Sequence, residues 1–126
     1  MLTPEEYTEY WKNLAVSDIE TAEILIKKKK LREGLFFCHL TIEKILKAHY
    51  CKVNQKEAPK THHLFYLFEK SEIEIDDDKR DFFGVLMKYN LEGRYPEYNP
   101  VLPQKEKIYQ YLRRTRKELN WLLEIL

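Results

Sequence analysis

The apolar positions of this chain recur with a helical period almost from end to end. Thr3-Pro4-Glu5-Glu6 reads as a helix start: Thr3 can cap, Pro4 suits the first helical position, and Glu6 completes a capping box. Beyond it, Tyr7, Trp11, Leu14, Ala15, Ala22 and Leu25 fall on one stripe, which predicts a first helix to about Lys30. Asp18 lies on that stripe between Ala15 and Ala22, where a carboxylate needs a partner or must sit at the edge. Lys27 to Lys30 place cations at the negative end of the helix dipole; the run reads as a helix stop, not as a binding motif.

A second helix is predicted from Arg32 or Glu33 to about Val53. Leu35, Phe36, Phe37, Cys38, Leu40, Ile42, Ile45, Leu46, Ala48 and Tyr50 cover most of its circumference, so it is central to a bundle or buried in an interface between two copies. His39 and Glu43, four apart, share a face; Lys44 and Lys47 share another. Thr61 can cap a short helix from His62 to about Lys70, with Leu64, Leu67 and Phe68 inward. After an acidic connection, Phe82, Val85, Leu86 and Tyr89 mark a helix from about Asp77 to Asn90. Leu91 to Pro103 is irregular, rich in proline and tyrosine, the kind of loop on which function concentrates. The last helix runs from Gln104 to Leu126 on the stripe Ile108, Leu112, Thr115, Leu119, Leu122 and Leu126, with a belt of Arg113, Arg114, Arg116 and Lys117 that reads as a solvated face. Together these predict an all-α fold, an antiparallel up-and-down helical bundle of four long helices and one short one, over a single domain spanning residues 1–126.

Composition narrows the function classes. The 22 Lys and Arg balance 21 Asp and Glu to a net charge of +1, which argues against a globally basic nucleic-acid binder and leaves only a local basic patch. No apolar run approaches the ~20 residues that span a bilayer, and the acidic start is wrong for a signal peptide, so a cytoplasmic protein with no membrane association is expected. Cys38 and Cys51 fall on one helix ~20 Å apart, too far to bridge, and are expected to be free core thiols. No metal-ligand spacing, glycine-rich phosphate loop or hydrolase nucleophile motif is present, so neither metal nor cofactor is expected.

The chemistry that remains centres on Arg94, in Gly93-Arg94-Tyr95-Pro96-Glu97-Tyr98. A guanidinium matches phosphate bidentately, and the flanking tyrosines can stack on a base or ribose. Asp18 and Glu43, on faces expected to be buried, are natural partners for Arg94 if its role is to pin the loop.

Four segments, in order, resemble the HEPN domain (higher eukaryotes and prokaryotes nucleotide-binding). They are Ala15-x-x-Asp18-Ile19-x-x-Ala22, Phe37 followed by Glu43-Lys44-x-x-Lys47-Ala48, Thr61-His62-His63-Leu64-x-x-Leu67, and Gly93-Arg94-Tyr95-Pro96-Glu97. The resemblance covers nearly the whole chain. It implies a helical bundle that forms a homodimer, often encoded beside a minimal nucleotidyltransferase in a toxin–antitoxin-like pair. It also implies, for many members, metal-independent ribonuclease activity from an Arg followed four to six residues later by His.

This sequence departs from that motif, because no His follows Arg94; the last is His63. The spacing from Arg32 to His39 matches only arithmetically, at the wrong place in the chain. General acid–base cleavage therefore lacks its obvious proton carrier. The expected function is a nucleotide- or RNA-binding HEPN bundle acting with a nucleotidyltransferase partner, with Arg94, Tyr95, Asp18 and Glu43 as ligand-binding residues. The alternatives are a metal-independent ribonuclease using Arg94 with His62 or Tyr98, and a plain dimeric interaction bundle. A dimer is also expected from the second helix itself, whose apolar surface looks too large for one small bundle to cover.

Overall fold

The computed structural model describes residues 1–90 and 100–126, in which the chain forms five helices: α1 (Pro4–Lys27), α2 (Leu31–Asn54), α3 (Leu64–Lys70), α4 (Asp77–Met87) and α5 (Lys105–Glu124). Among the described residues there is no strand. The predicted capping box is present: the Glu6 N–H donates to Thr3 Oγ1 at 3.1 Å, and the Thr3 N–H donates to Glu6 Oε1 at 3.0 Å.

α1 and α2 form a tight antiparallel hairpin. Its turn is closed by the N–H groups of Lys28, Lys29 and Lys30, which donate to Ile24 O, Ile26 O and Leu25 O, and Lys29 takes a left-handed φ of 67°. α1 therefore stops at Lys27, earlier than the pattern suggested, and α2 begins at Leu31. The close approach explains Gly34: a Cβ there would lie 2.4 Å from Ile26 Cγ1. The core stripe of α1 is Ala15, Asp18, Ile19, Ala22 and Ile26. Ile19 and Ile26 thus replace the expected Leu14 and Leu25, which lie half-buried at the edge. Asp18 is buried.

α2 is the central element and packs against the other four helices. One chain covers most of it: Leu35, Cys38, Ile42, Ile45, Leu46 and Ala48 are fully buried without any second copy. α2 therefore needs no second copy to hide most of its apolar surface, contrary to the expectation from its composition. The flanking helices enclose it, and only Phe36, Phe37 and Leu40 stay half-buried. Cys38 and Cys51 are free and buried, as expected, and burial pushes the Cys38 thiol up to about 12.

α4 and α5 are joined by a network around Glu118, whose carboxylate is buried. Lys79 Nζ lies 2.5 Å from Oε1 and Arg114 Nε 2.6 Å from Oε2, while Arg114 Nη2 reaches Asp78 at 2.8 Å. Lys79 sits 4.1 Å over the Trp121 ring and Arg114 4.9 Å over Phe82. Arg116 pairs with Glu23 at 2.5 Å. Arg114 and Arg116 of the basic belt of α5 are thus paired with carboxylates, while Arg113, Arg116 and Lys117 are exposed, as a solvated face requires. At the far end, His49 Nε2–H donates to Leu122 O at 2.8 Å and ties α2 to α5; burial lowers the pKa of this imidazole.

Candidate functional site

Helical spacing puts His39, Glu43 and Lys47 in line, each four residues from the next, on one face of α2. The Glu43 side chain is only 3% exposed, so its charge must be met inside the fold. Lys47 Nζ lies 3.1 Å from Oε2. On the other oxygen, His62 Nδ1 lies 2.9 Å from Oε1, and His39 Nδ1 approaches the same atom at 3.7 Å. His39 Nε2 faces the His62 carbonyl at 3.1 Å. A carbonyl only accepts, so His39 carries a proton on Nε2 and donates it, strapping the connection before α3 onto α2.

The start of α3 explains how His62 reaches Glu43. Helical hydrogen bonding begins at Leu64, with His63 and not Thr61 as N-cap: the Tyr66 N–H donates to His63 Nδ1 at 3.2 Å. Thr61 Oγ1 accepts from the His63 N–H at 3.2 Å and supports the turn. His62 consequently precedes the helix, and its ring meets α2 while its neighbour caps.

The carboxylate fixes the tautomer of His62. Nδ1–H donates to Glu43, which makes Nε2 the nitrogen at which a proton is gained or lost. The His62 side chain is 38% exposed, whereas His39 and Lys47 are buried. This cluster thus has a buried carboxylate and ammonium at its base and an oriented imidazole toward solvent. Such an imidazole can relay a proton, or when protonated can bind a phosphate oxygen. Lys47 also lies 5.0 Å over the Trp11 ring, linking the cluster to α1.

Asp18 meets Lys44 at 2.6 Å. Both carboxylates proposed as partners for Arg94 thus have described cationic neighbours of their own. Lys47 and Lys44 escaped the sequence reading as partners. Glu43-x-x-x-Lys47 carried a signal, the favourable orientation of an acid four residues before a base. The Asp18–Lys44 pair depends on the register between α1 and α2, which sequence spacing does not encode.

Arg94, Tyr95 and Tyr98 lie outside the described residues. Pro100, which follows that segment, is held by Arg32: Nη1 donates to the Pro100 carbonyl at 2.6 Å. Among the described residues no group of three or more His, Cys, Asp or Glu is arranged to hold a metal ion, and no helix is long and apolar enough to cross a membrane.

An all-helical bundle with an acid–imidazole–ammonium cluster on its central helix defines the structural class. Within it, the HEPN domain model matches residues 8–126, and the chain belongs to the HEPN domain family. Its fold is similar to that in the crystal structure of TT1696 from Thermus thermophilus, with a TM-score of 0.78 and 19% identity over 94% of this chain and 98% of that one. No curated protein sequence matches the chain.

Proposed function

We propose that this HEPN protein binds a nucleotide or RNA through the face on which Glu43 holds His62, and that it acts with a minimal nucleotidyltransferase in a toxin–antitoxin-like pair. The observation that carries this reading is the 2.9 Å contact between His62 Nδ1 and a buried carboxylate. An imidazole held in this way, beside solvent, is a poised donor and acceptor for a phosphate ester. Arg94 supplies the guanidinium for the phosphate, Tyr95 stacks on the base or ribose, and Asp18 and Glu43 supply the buried charge that sets the surrounding lysines and histidines. A homodimer is part of the proposal, with the half-buried Phe36, Phe37 and Leu40 of α2 as its apolar seam.

A second reading follows from the same contact. The family's ribonuclease motif lacks its His after Arg94, and His62 offers a replacement from elsewhere in the chain. In metal-independent cleavage, His62 Nε2 takes the proton of the ribose 2′-hydroxyl as its oxygen attacks the adjacent phosphorus, the P–O5′ bond breaks to leave a 2′,3′-cyclic phosphate, and the departing 5′-oxygen takes a proton from water; Glu43 stabilises the imidazolium, Arg94 neutralises the phosphate, and Tyr98 is the alternative group beside Arg94.

Purified protein incubated with end-labelled tRNA and mRNA fragments in EDTA separates the readings. Cleavage by the wild type that disappears in both Arg94→Ala and His62→Ala supports the nuclease. Intact RNA that is bound by the wild type and released by both variants supports the binding module. RNA affinity and integrity unchanged in both variants would leave an interaction bundle.

A further inference from the structure

The end of the bundle where α1 turns into α2 carries positive charge that the site above does not use. Lys27 to Lys30 follow one another through the turn, and all four are exposed. Lys105, the first residue of α5, lies beside Lys29 there, and its nearby charge holds the Lys29 pKa below the usual lysine range. The Arg32 bond to Pro100 brings the first turn of α2 alongside the chain that leads into α5. α2 and α5 begin at this pole without a side-chain N-cap, but α1 ends there and Glu33 and Glu106 occupy the two first turns, so the positive charge of the pole comes from its lysine side chains.

Lys44, Lys79, Arg114 and Arg116 each meet a carboxylate. Among the described residues none of Lys27, Lys28, Lys29, Lys30 or Lys105 does. Other exposed cations, such as Lys56, Lys60 and Lys117, share that property; what sets this pole apart is that four consecutive lysines crowd one turn beside Lys105. Lys29 holds its place in a left-handed backbone conformation that asparagine or glycine would adopt more easily. Crowded like charges on a locally unfavourable backbone conflict with the fold's own preferences, and such conflicts concentrate where a ligand resolves them.

We infer that Lys27 to Lys30 and Lys105 form a landing surface for the phosphodiester backbone of RNA. The inference rests on the RNA reading above and adds a second contact surface to it. Five ammonium groups exceed what one mononucleotide phosphate neutralises, so the charge count favours a polyanion over a single nucleotide. The surface positions the strand and reads no sequence, as backbone contacts do.

The test is fluorescence anisotropy of a labelled 20-nucleotide oligouridylate, titrated with the full chain across a range of KCl concentrations. The wild type binds with a steep salt dependence. The pair Lys29→Glu with Lys105→Glu lowers affinity about tenfold or more at low salt and flattens the log–log salt slope by about 0.7 for each lysine removed. The milder pair Lys29→Gln with Lys105→Gln falls between. The control pair Lys56→Glu with Lys70→Glu makes the same change in net charge elsewhere and leaves affinity within about twofold; circular dichroism verifies that all variants fold.

Equal losses in the reversed and control pairs overturn the inference. So does a wild type that ignores the oligonucleotide yet is retained on vesicles containing phosphatidylserine. Arg94→Ala separates the two claims. If it abolishes binding while the reversed lysines bind normally, the pole falls and the proposed site stands; the opposite result keeps the pole and removes Arg94 from the account. A wild type that binds neither RNA nor vesicles overturns both.

Discussion

Two buried glutamates, Glu43 and Glu118, are each met by a partner at both oxygens, yet they do different things. Around Glu118 both partners are permanent cations, Lys79 at 2.5 Å and Arg114 at 2.6 Å, and each cation is covered by an aromatic ring. The effect of that network is to lock α4 to α5. Around Glu43 one oxygen meets Lys47, but the other meets His62, whose ring is partly open to water. The difference lies in the partner. A permanent cation under an aromatic ring makes a structural tie, whereas an imidazole at the surface end of a buried carboxylate makes a site that can exchange a proton or receive a ligand.

This contrast breaks most visibly under substitution. Glu118→Gln leaves two cations facing a neutral amide and lowers unfolding free energy by about 3 kcal/mol, a value at the low end for buried pairs because Lys79 and Arg114 are partly solvated. Chemical denaturation measures it, and RNA binding per folded molecule stays unchanged. Lys47→Met keeps the volume but strips Glu43 of its ammonium, costing about 3 kcal/mol as well, and it weakens binding because the carboxylate that orients His62 is perturbed. A variant of Glu118 that loses RNA affinity without losing stability would erase the distinction.

Smaller effects sharpen the same picture. Gly34→Ala gains helix propensity but drives a Cβ into Ile26, for a net loss of about 1 kcal/mol seen as an earlier denaturation midpoint. His49 tests whether every buried histidine is a site. Burial depresses its pKa in the folded state below the ordinary 6.5, so its contribution to stability is complete above that value and is lost as pH falls through the folded pKa. Urea unfolding at pH 7.5 and 5 shows the loss, and His49→Gln reduces it while leaving RNA binding intact. The thiols complete the contrast: Cys38, pushed up to about 12, and the buried Cys51 stay unreactive toward a disulfide reagent at pH 8 until denaturant is added.

Much of the architecture was legible because helices announce themselves by period and caps. The Thr3 capping box, the largely apolar α2 and the α5 stripe all stand where the pattern put them. The edge of α1 was misjudged because two neighbouring stripes, Leu14 with Leu25 and Ile19 with Ile26, differ by a small rotation that only the hairpin with α2 decides. The Asp18 position signalled burial, and His39 with Glu43 signalled a shared polar face. The contact that completes the cluster was illegible. His62 reaches Glu43 because His63 and not Thr61 caps α3, a choice between two competent capping residues. The Glu118 network was hidden for a related reason. Arg114 sits in a basic run that looks solvated, and its partner on α4 depends on how two helices lie side by side.

The central claim, that Glu43 holds His62 as the ligand-facing group, is tested most directly by nitrogen-15 NMR of the imidazole rings during titration with the same oligouridylate. The account predicts a His62 ring protonated on Nδ1 when neutral, with the Nε2 resonance moving as the oligonucleotide binds and the tautomer preference lost in Glu43→Gln. A His62 ring whose resonances ignore bound RNA, or whose tautomer is indifferent to Glu43, would contradict it.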